Sequence, residues 1–208
     1  MRIPRTATIA IAVVTAAVWL ITALMGADSR AAVIMGVIPA RLSGLIEITP
    51  AVPAWLTPLS STLVHGGALH LALNLLMLIW CGTKVERILG AGPVIFLYLV
   101  GAYTAAIAQW LSSPVSPTPM IGASGAISAI IGAFALSFGQ QKRLVSSPSL
   151  NRTLNALWLL AAWVALQIMT GLLAGVQGFL LATPAHIGGF IAGLLLQRPL
   201  LLWRYRSA

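Results

Sequence analysis

The chain has 208 residues, of which 59% are hydrophobic and only 7% charged, and its mean hydropathy is +0.98. No soluble surface can be built from that composition, so a cytosolic or secreted domain is excluded and an integral membrane protein is expected. The net charge of +9 is carried by single basic residues at the ends of apolar segments, a pattern that points to membrane topology and away from nucleic acid as a partner.

Six apolar stretches follow one another at roughly 7–25, 66–83, 93–111, 122–139, 153–175 and 185–203, each near the ~20 residues a helix needs to cross a bilayer. Short alternating strands of the barrel kind do not recur. The expected fold is therefore all-α, a polytopic bundle of six transmembrane helices forming one domain over 1–208. The first stretch begins like a signal peptide, but its nineteen apolar residues exceed a typical h-region, which favours a retained anchor. Residues 26–64 form a long first loop whose apolar patches, Ala31 to Ile38 and Trp55 to Leu59, are expected on or in the outer leaflet. "SSPVSPTPMI" at 112–121 cannot continue a helix, and "VQGFLLATP" at 176–184 makes a short, uncharged outer loop. With the N-terminus inside, Arg2, Arg5, Lys84, Arg87, Lys142, Arg143, Arg152, Arg198, Arg204 and Arg206 all fall on the inner side and only Arg30 and Arg41 outside, so both termini are expected to be cytoplasmic. The lone Cys81 has no partner for an intrachain disulfide or a metal cluster.

Polarity inside the spans reduces to a few groups, His70, Asn74, Ser124, Ser128, Gln167 and His186, with Tyr and Thr scattered. Such groups are functional candidates by default; for Ser128 and Gln167 the favoured reading is helix-to-helix hydrogen bonding alone. Depth links three of them. At about 1.5 Å per residue and a core of about 30 Å, Ser124 lies about 6 Å below the outer edge, His70 about 9 Å and His186 about 3 to 12 Å. His70 and Asn74, at i and i+4, share one helical face. Ser124, Ser128 and Gly132 make one small-residue stripe, and His186, Gly189 and Gly193 make another that contains GxxxG. Such stripes let two backbones approach closely enough to bring an imidazole to a hydroxyl.

A serine nucleophile needs a base within about 2.6 to 3.2 Å and donors aimed at the oxyanion that develops. Ser124 opens a helix after a proline-rich loop, where backbone N–H groups lack intrahelical partners and the dipole favours negative charge. Gly122 and Gly125 keep side chains away from the attacking oxygen and permit a tight turn. With no intramembrane carboxylate, a Ser–His–Asp triad cannot be assembled and a Ser–His dyad is left. GxSxG and HExxH are both absent. His65 and His70, five residues apart, would sit about 140° apart on a helix, unsuited to holding a metal together.

These residues resemble the rhomboid family of intramembrane serine proteases, through "LVHGGALHLALNLL", "VERILGAG", "GASG" and "AHIGGFIAG" in order, one per expected element. The resemblance implies that Ser124 is the nucleophile and His186 the base, with an oxyanion hole of His70, Asn74 and the Ser124 backbone N–H, and Gly122, Gly125, Gly189 and Gly193 in support. It gives His65 a structural role. It implies hydrolysis of peptide bonds in or beside transmembrane segments of single-span or multi-span membrane proteins in the lipid bilayer of the plasma membrane, without cofactor or metal. It further implies a site opening to the extracytoplasmic side beneath loop 176–184, with the substrate helix entering sideways and unwinding. This chain departs from many members at three places: Leu56 follows Trp55 in place of arginine, Ser128 replaces an aromatic residue and Ile121 replaces glycine. A catalytically inactive rhomboid-like adaptor that binds membrane helices is the alternative reading, and a solute channel lined by His70 and His186 a more distant one.

Overall fold

An apolar chain in lipid must satisfy its backbone hydrogen bonds internally, and a helix does so within a single segment. The computed structural model describes residues 6–139, 145–176 and 182–206. Helix α1 (Thr6–Leu24) leads into the first loop, which carries short helices α2 (Asp28–Met35), α3 (Pro39–Leu42) and α4 (Thr57–Ser60). Helix α5 (Ala68–Met77) passes through a π-helical stretch, Leu78–Gly82, into α6 (Thr83–Leu89), and the three form one span. Helices α7 (Ala91–Ser112), α8 (Ser124–Phe138), α9 (Pro148–Val176) and α10 (Thr183–Arg204) follow. Five helices among the described residues are long and apolar enough to cross a membrane. Among the described residues the only β pairing is a single bridge between Val37 and Met120. The basic residues Arg2, Arg5, Lys142 and Arg143, and most of the loop at 176–184, lie outside the described residues.

The fourth stretch differs from the expected span 122–139. Helix α8 has 15 residues, about 22 Å of helix against a core of about 30 Å, and is not among the five. The chain stays unwound through Ile121, so the helix starts inside the bundle. Its residues Gly125 to Ile130 are all buried, with α7 and α10 as its principal neighbours. Small residues make this possible. A Cβ added to Gly189 would run into the carbonyl oxygen of Gly125, one on Gly193 into that of Ala129, and one on Gly132 into that of Phe190. On the other flank of α8, Gly101 of α7 meets Ala129, and α10 packs on α7 in the same way where Gly188 meets Ala108. Backbone-to-backbone contact of this kind is how helices pack where lipid removes the usual hydrophobic drive.

The first loop also differs in part from expectation. Val37 and Ile38, read as part of a leaflet-facing patch, are buried, because Val37 pairs with Met120 in the loop before α8. Trp55 is 66% exposed. The loop is tied to α7 by the Tyr103 hydroxyl, which donates to the Trp55 carbonyl at 3.2 Å, and by Trp110 Nε1, which donates to Ser43 Oγ at 2.8 Å.

One buried acid holds the first two spans together at their far end. Glu86, 1% exposed, accepts from the backbone N–H of Ala7 at 3.1 Å and of Thr8 at 2.9 Å, and from Thr8 Oγ1 at 2.5 Å. A carboxylate at the N-terminus of α1 supplies acceptors for donors that the helix cannot satisfy itself and complements its dipole. Gly82 packs on Thr8 one turn earlier. Glu86→Ala is expected to lower stability by about 2 to 3 kcal/mol, since buried donors are left unpaired; Glu86→Gln should lose less. Thermal unfolding of the purified protein in detergent measures both, and equal stability of Glu86→Ala and wild type would remove this contact from the account.

Candidate active site

The position of Ser124 is set by the loop ahead of it. Backbone hydrogen bonds pin that loop to the first loop: Val37 N–H to Met120 O at 3.0 Å, Met120 N–H to Val37 O at 2.8 Å, Ala40 N–H to Ser116 O at 3.0 Å, and Gly122 N–H to Ser61 O at 2.9 Å. Gly122 then turns the chain with φ +108, a conformation that side chains disfavour. A Cβ there would also strike the His70 ring. The turn delivers Ser124 as the first residue of α8, its backbone N–H free of any partner inside the helix.

His186 stands in the first turn of α10, 8% exposed. Its Nε2 lies 2.7 Å from Ser124 Oγ, and its Nδ1 lies 2.7 Å from Gln167 Oε1 on α9. The glycine seam between α8 and α10 explains the first distance, because Gly189, three residues beyond His186, rests directly on the Gly125 carbonyl next to Ser124.

His70 and Asn74 come to the same place from α5. His70 Nδ1 accepts from the Gly66 N–H at 3.4 Å, so the ring proton resides on Nε2, which faces Gly122. Asn74 Nδ2 donates to the His70 carbonyl at 3.0 Å and is the next nearest side chain to Gly122. Ser124, His186, His70 and Asn74 thus converge from α8, α10 and α5 around one glycine turn. A cavity of about 10 Å³, the scale of one water molecule, reaches Ser124 between Ser61, Thr62, Gly122 and Ala185.

The remaining polar candidates separate. Ser128 donates to the Ser124 carbonyl at 2.8 Å within its own helix, so no ring covers His186 from that position. Gln167, read from the sequence as hydrogen bonding helix to helix, makes such a bond from α9, and its partner on α10 is the His186 imidazole. His65 lies before α5, not on it, so the helical angle inferred from its spacing does not apply; it is fully buried and packs edge-on against His70, ring centres 5.0 Å apart. Leu56 leaves the first loop without the expected arginine; Arg41 Nη2 donates to the Val52 carbonyl at 3.1 Å there, and Ile121 lies against Gly36. Ser61 and Val37 are contacts that sequence reasoning missed, and for Gln167, which it named, it did not foresee His186 as the partner.

A helical membrane bundle with a part-buried hydroxyl–imidazole pair at a helix N-terminus defines the class of polytopic membrane proteins with a serine–histidine pair. The Rhomboid domain family matches residues 53–203. RHOMBOID-like protein 4 of Arabidopsis thaliana is 34% identical over 146 residues, covering 69% of this chain and 34% of that protein. Rhomboid protease AarA of Providencia stuartii is 31% identical over 160 residues, 68% of this chain and 54% of the relative. Rhomboid protease GlpG of Pectobacterium atrosepticum is 30% identical over 138 residues, 66% and 45% respectively. The chain belongs to the rhomboid family. It spans from about a third to about half the length of these three relatives.

Proposed function

We propose that this protein is an intramembrane serine endopeptidase that cleaves peptide bonds in or near transmembrane segments of other membrane proteins. The observation that carries the reading is the 2.7 Å contact between Ser124 Oγ and His186 Nε2, made at the N-terminus of α8 inside an apolar bundle. Ser124 Oγ attacks the scissile carbonyl carbon while its proton passes to His186 Nε2. The oxyanion is received by the Ser124 backbone N–H, with His70 Nε2–H and the Asn74 amide turning onto it. His186 then gives the proton to the departing amine, and water, deprotonated by the same nitrogen, releases the acyl group from Ser124. Family membership and relatives named as proteases support this chemistry. The charge asymmetry supports cytoplasmic termini and a site opening on the extracytoplasmic side; the plasma membrane is the location that this reading assigns. An adaptor role has no use for a nucleophile bonded to a base.

A fluorophosphonate probe applied to membranes should label the wild-type chain and leave Ser124→Ala unlabelled. A folded wild type that resists labelling would count against an activated serine.

A further inference from the structure

Resting on the protease reading, we infer that Gln167 is a positioning residue for the base: its amide oxygen holds the proton of His186 on Nδ1 and so keeps the Nε2 lone pair directed at Ser124. An imidazole has two neutral tautomers, and only the one protonated at Nδ1 can take a proton at Nε2. An amide oxygen accepts and cannot donate, so the 2.7 Å contact from Nδ1 to Gln167 Oε1 selects that tautomer. In soluble serine proteases an aspartate performs this task and also stabilises the imidazolium. The membrane interior makes a buried carboxylate costly, and the amide performs the orienting half without the charge.

The approach of Gln167 is itself held in register. Trp163 and Gln167 are one turn apart on α9, as are His186 and Phe190 on α10. Trp163 stacks on Phe190 with ring centres 4.8 Å apart and planes 9° from parallel, and its Nε1 donates to the His186 carbonyl at 3.3 Å. Thr183 Oγ1 donates to the Gln167 carbonyl at 3.5 Å. Two rungs, Trp163 with Phe190 and Gln167 with His186, therefore join the helices, and the second ends on the ring nitrogen opposite the one that faces Ser124.

The test compares Gln167→Met, which keeps the length and removes the acceptor, with Gln167→Glu, which restores an acceptor oxygen. Using the full-length protein in detergent, the tautomer is read directly from the ¹⁵N spectrum of labelled histidine, the His186 signals being those lost in His186→Ala. Wild type and Gln167→Glu should show the Nδ1 proton, and Gln167→Met should shift toward Nε2–H. Cleavage of a reporter membrane protein by Gln167→Met should fall about 10- to 100-fold in kcat, by analogy with the loss of a hydrogen-bond partner that orients a metal-bound histidine and less than the about 10⁴-fold lost with the charged aspartate of a triad, with KM and thermal stability little changed; Gln167→Glu should recover most of that loss. An unchanged tautomer and unchanged kcat in Gln167→Met, in a preparation whose wild type is labelled by fluorophosphonate, would overturn this assignment and leave the protease reading standing. A wild type that is folded, unlabelled and inactive would overturn the protease reading instead, while the histidine spectrum still reports on Gln167.

Discussion

Ser124→Ala, His186→Ala and the double variant are expected to lose reporter cleavage by the same factor, about 10⁴- to 10⁶-fold, because a nucleophile and its base act as one unit and removing either disables both. The two side chains touch at 2.7 Å across a sequence separation of 62 residues. Kinetics on purified enzyme in detergent or proteoliposomes provide the measurement, with thermal unfolding showing that all three variants fold. The informative quantity is the double variant. Losses that multiply would mean that the two groups act independently, and the hydrogen bond between them would not be catalytic.

Gly189→Ala is the second large effect. A single methyl there meets the carbonyl oxygen of Gly125, and neither backbone can yield without moving a helix. Overpacking of this kind costs about 1 to 3 kcal/mol. The functional loss should be larger in proportion, since a displacement of about 1 Å at a reacting pair lowers the rate by about 100-fold. Gly92, at the start of α7, has nothing within 4 Å of a Cβ built on it, so Gly92→Ala serves as the control and should match wild type in both stability and cleavage. Wild-type activity in Gly189→Ala would show that the seam between α8 and α10 does not set the distance from Ser124 to His186.

The parts of this molecule legible in the sequence are those that stand out against an apolar background. A serine between glycines and two histidines at one depth, with an asparagine one turn deeper than His70, are visible because little else in the spans is polar, and the small-residue stripes appear because their period is that of a helix. Contacts that join distant segments through the backbone leave no such trace: nothing about Val37 or Ser61 as residue types announces that their main-chain groups hold the loop before α8. Glu86 was visible as a charge but not as a cap, since its partners lie 78 and 79 residues away. Gln167 could have been found. It is fifteen residues from Arg152, about 22 Å up the helix, the level already assigned to Ser124 and His70; its amide was set aside because glutamine commonly bridges helices without further purpose. The length of α8 was misjudged for a related reason, because hydropathy does not distinguish a helix bathed in lipid from one enclosed by other helices.

That enclosure has a consequence for how the protein responds to its surroundings. Helix α8 hangs from a loop fastened by main-chain bonds to the first loop, and its upper two-thirds present almost no surface to acyl chains. A thicker or thinner bilayer can tilt the outer helices to relieve mismatch, but it has little to grip on the one that bears Ser124. The height of the reactive hydroxyl is thus gauged from the protein's own scaffold, and a change of lipid shifts the neighbouring membrane, with any helix floating in it, past a stationary mark.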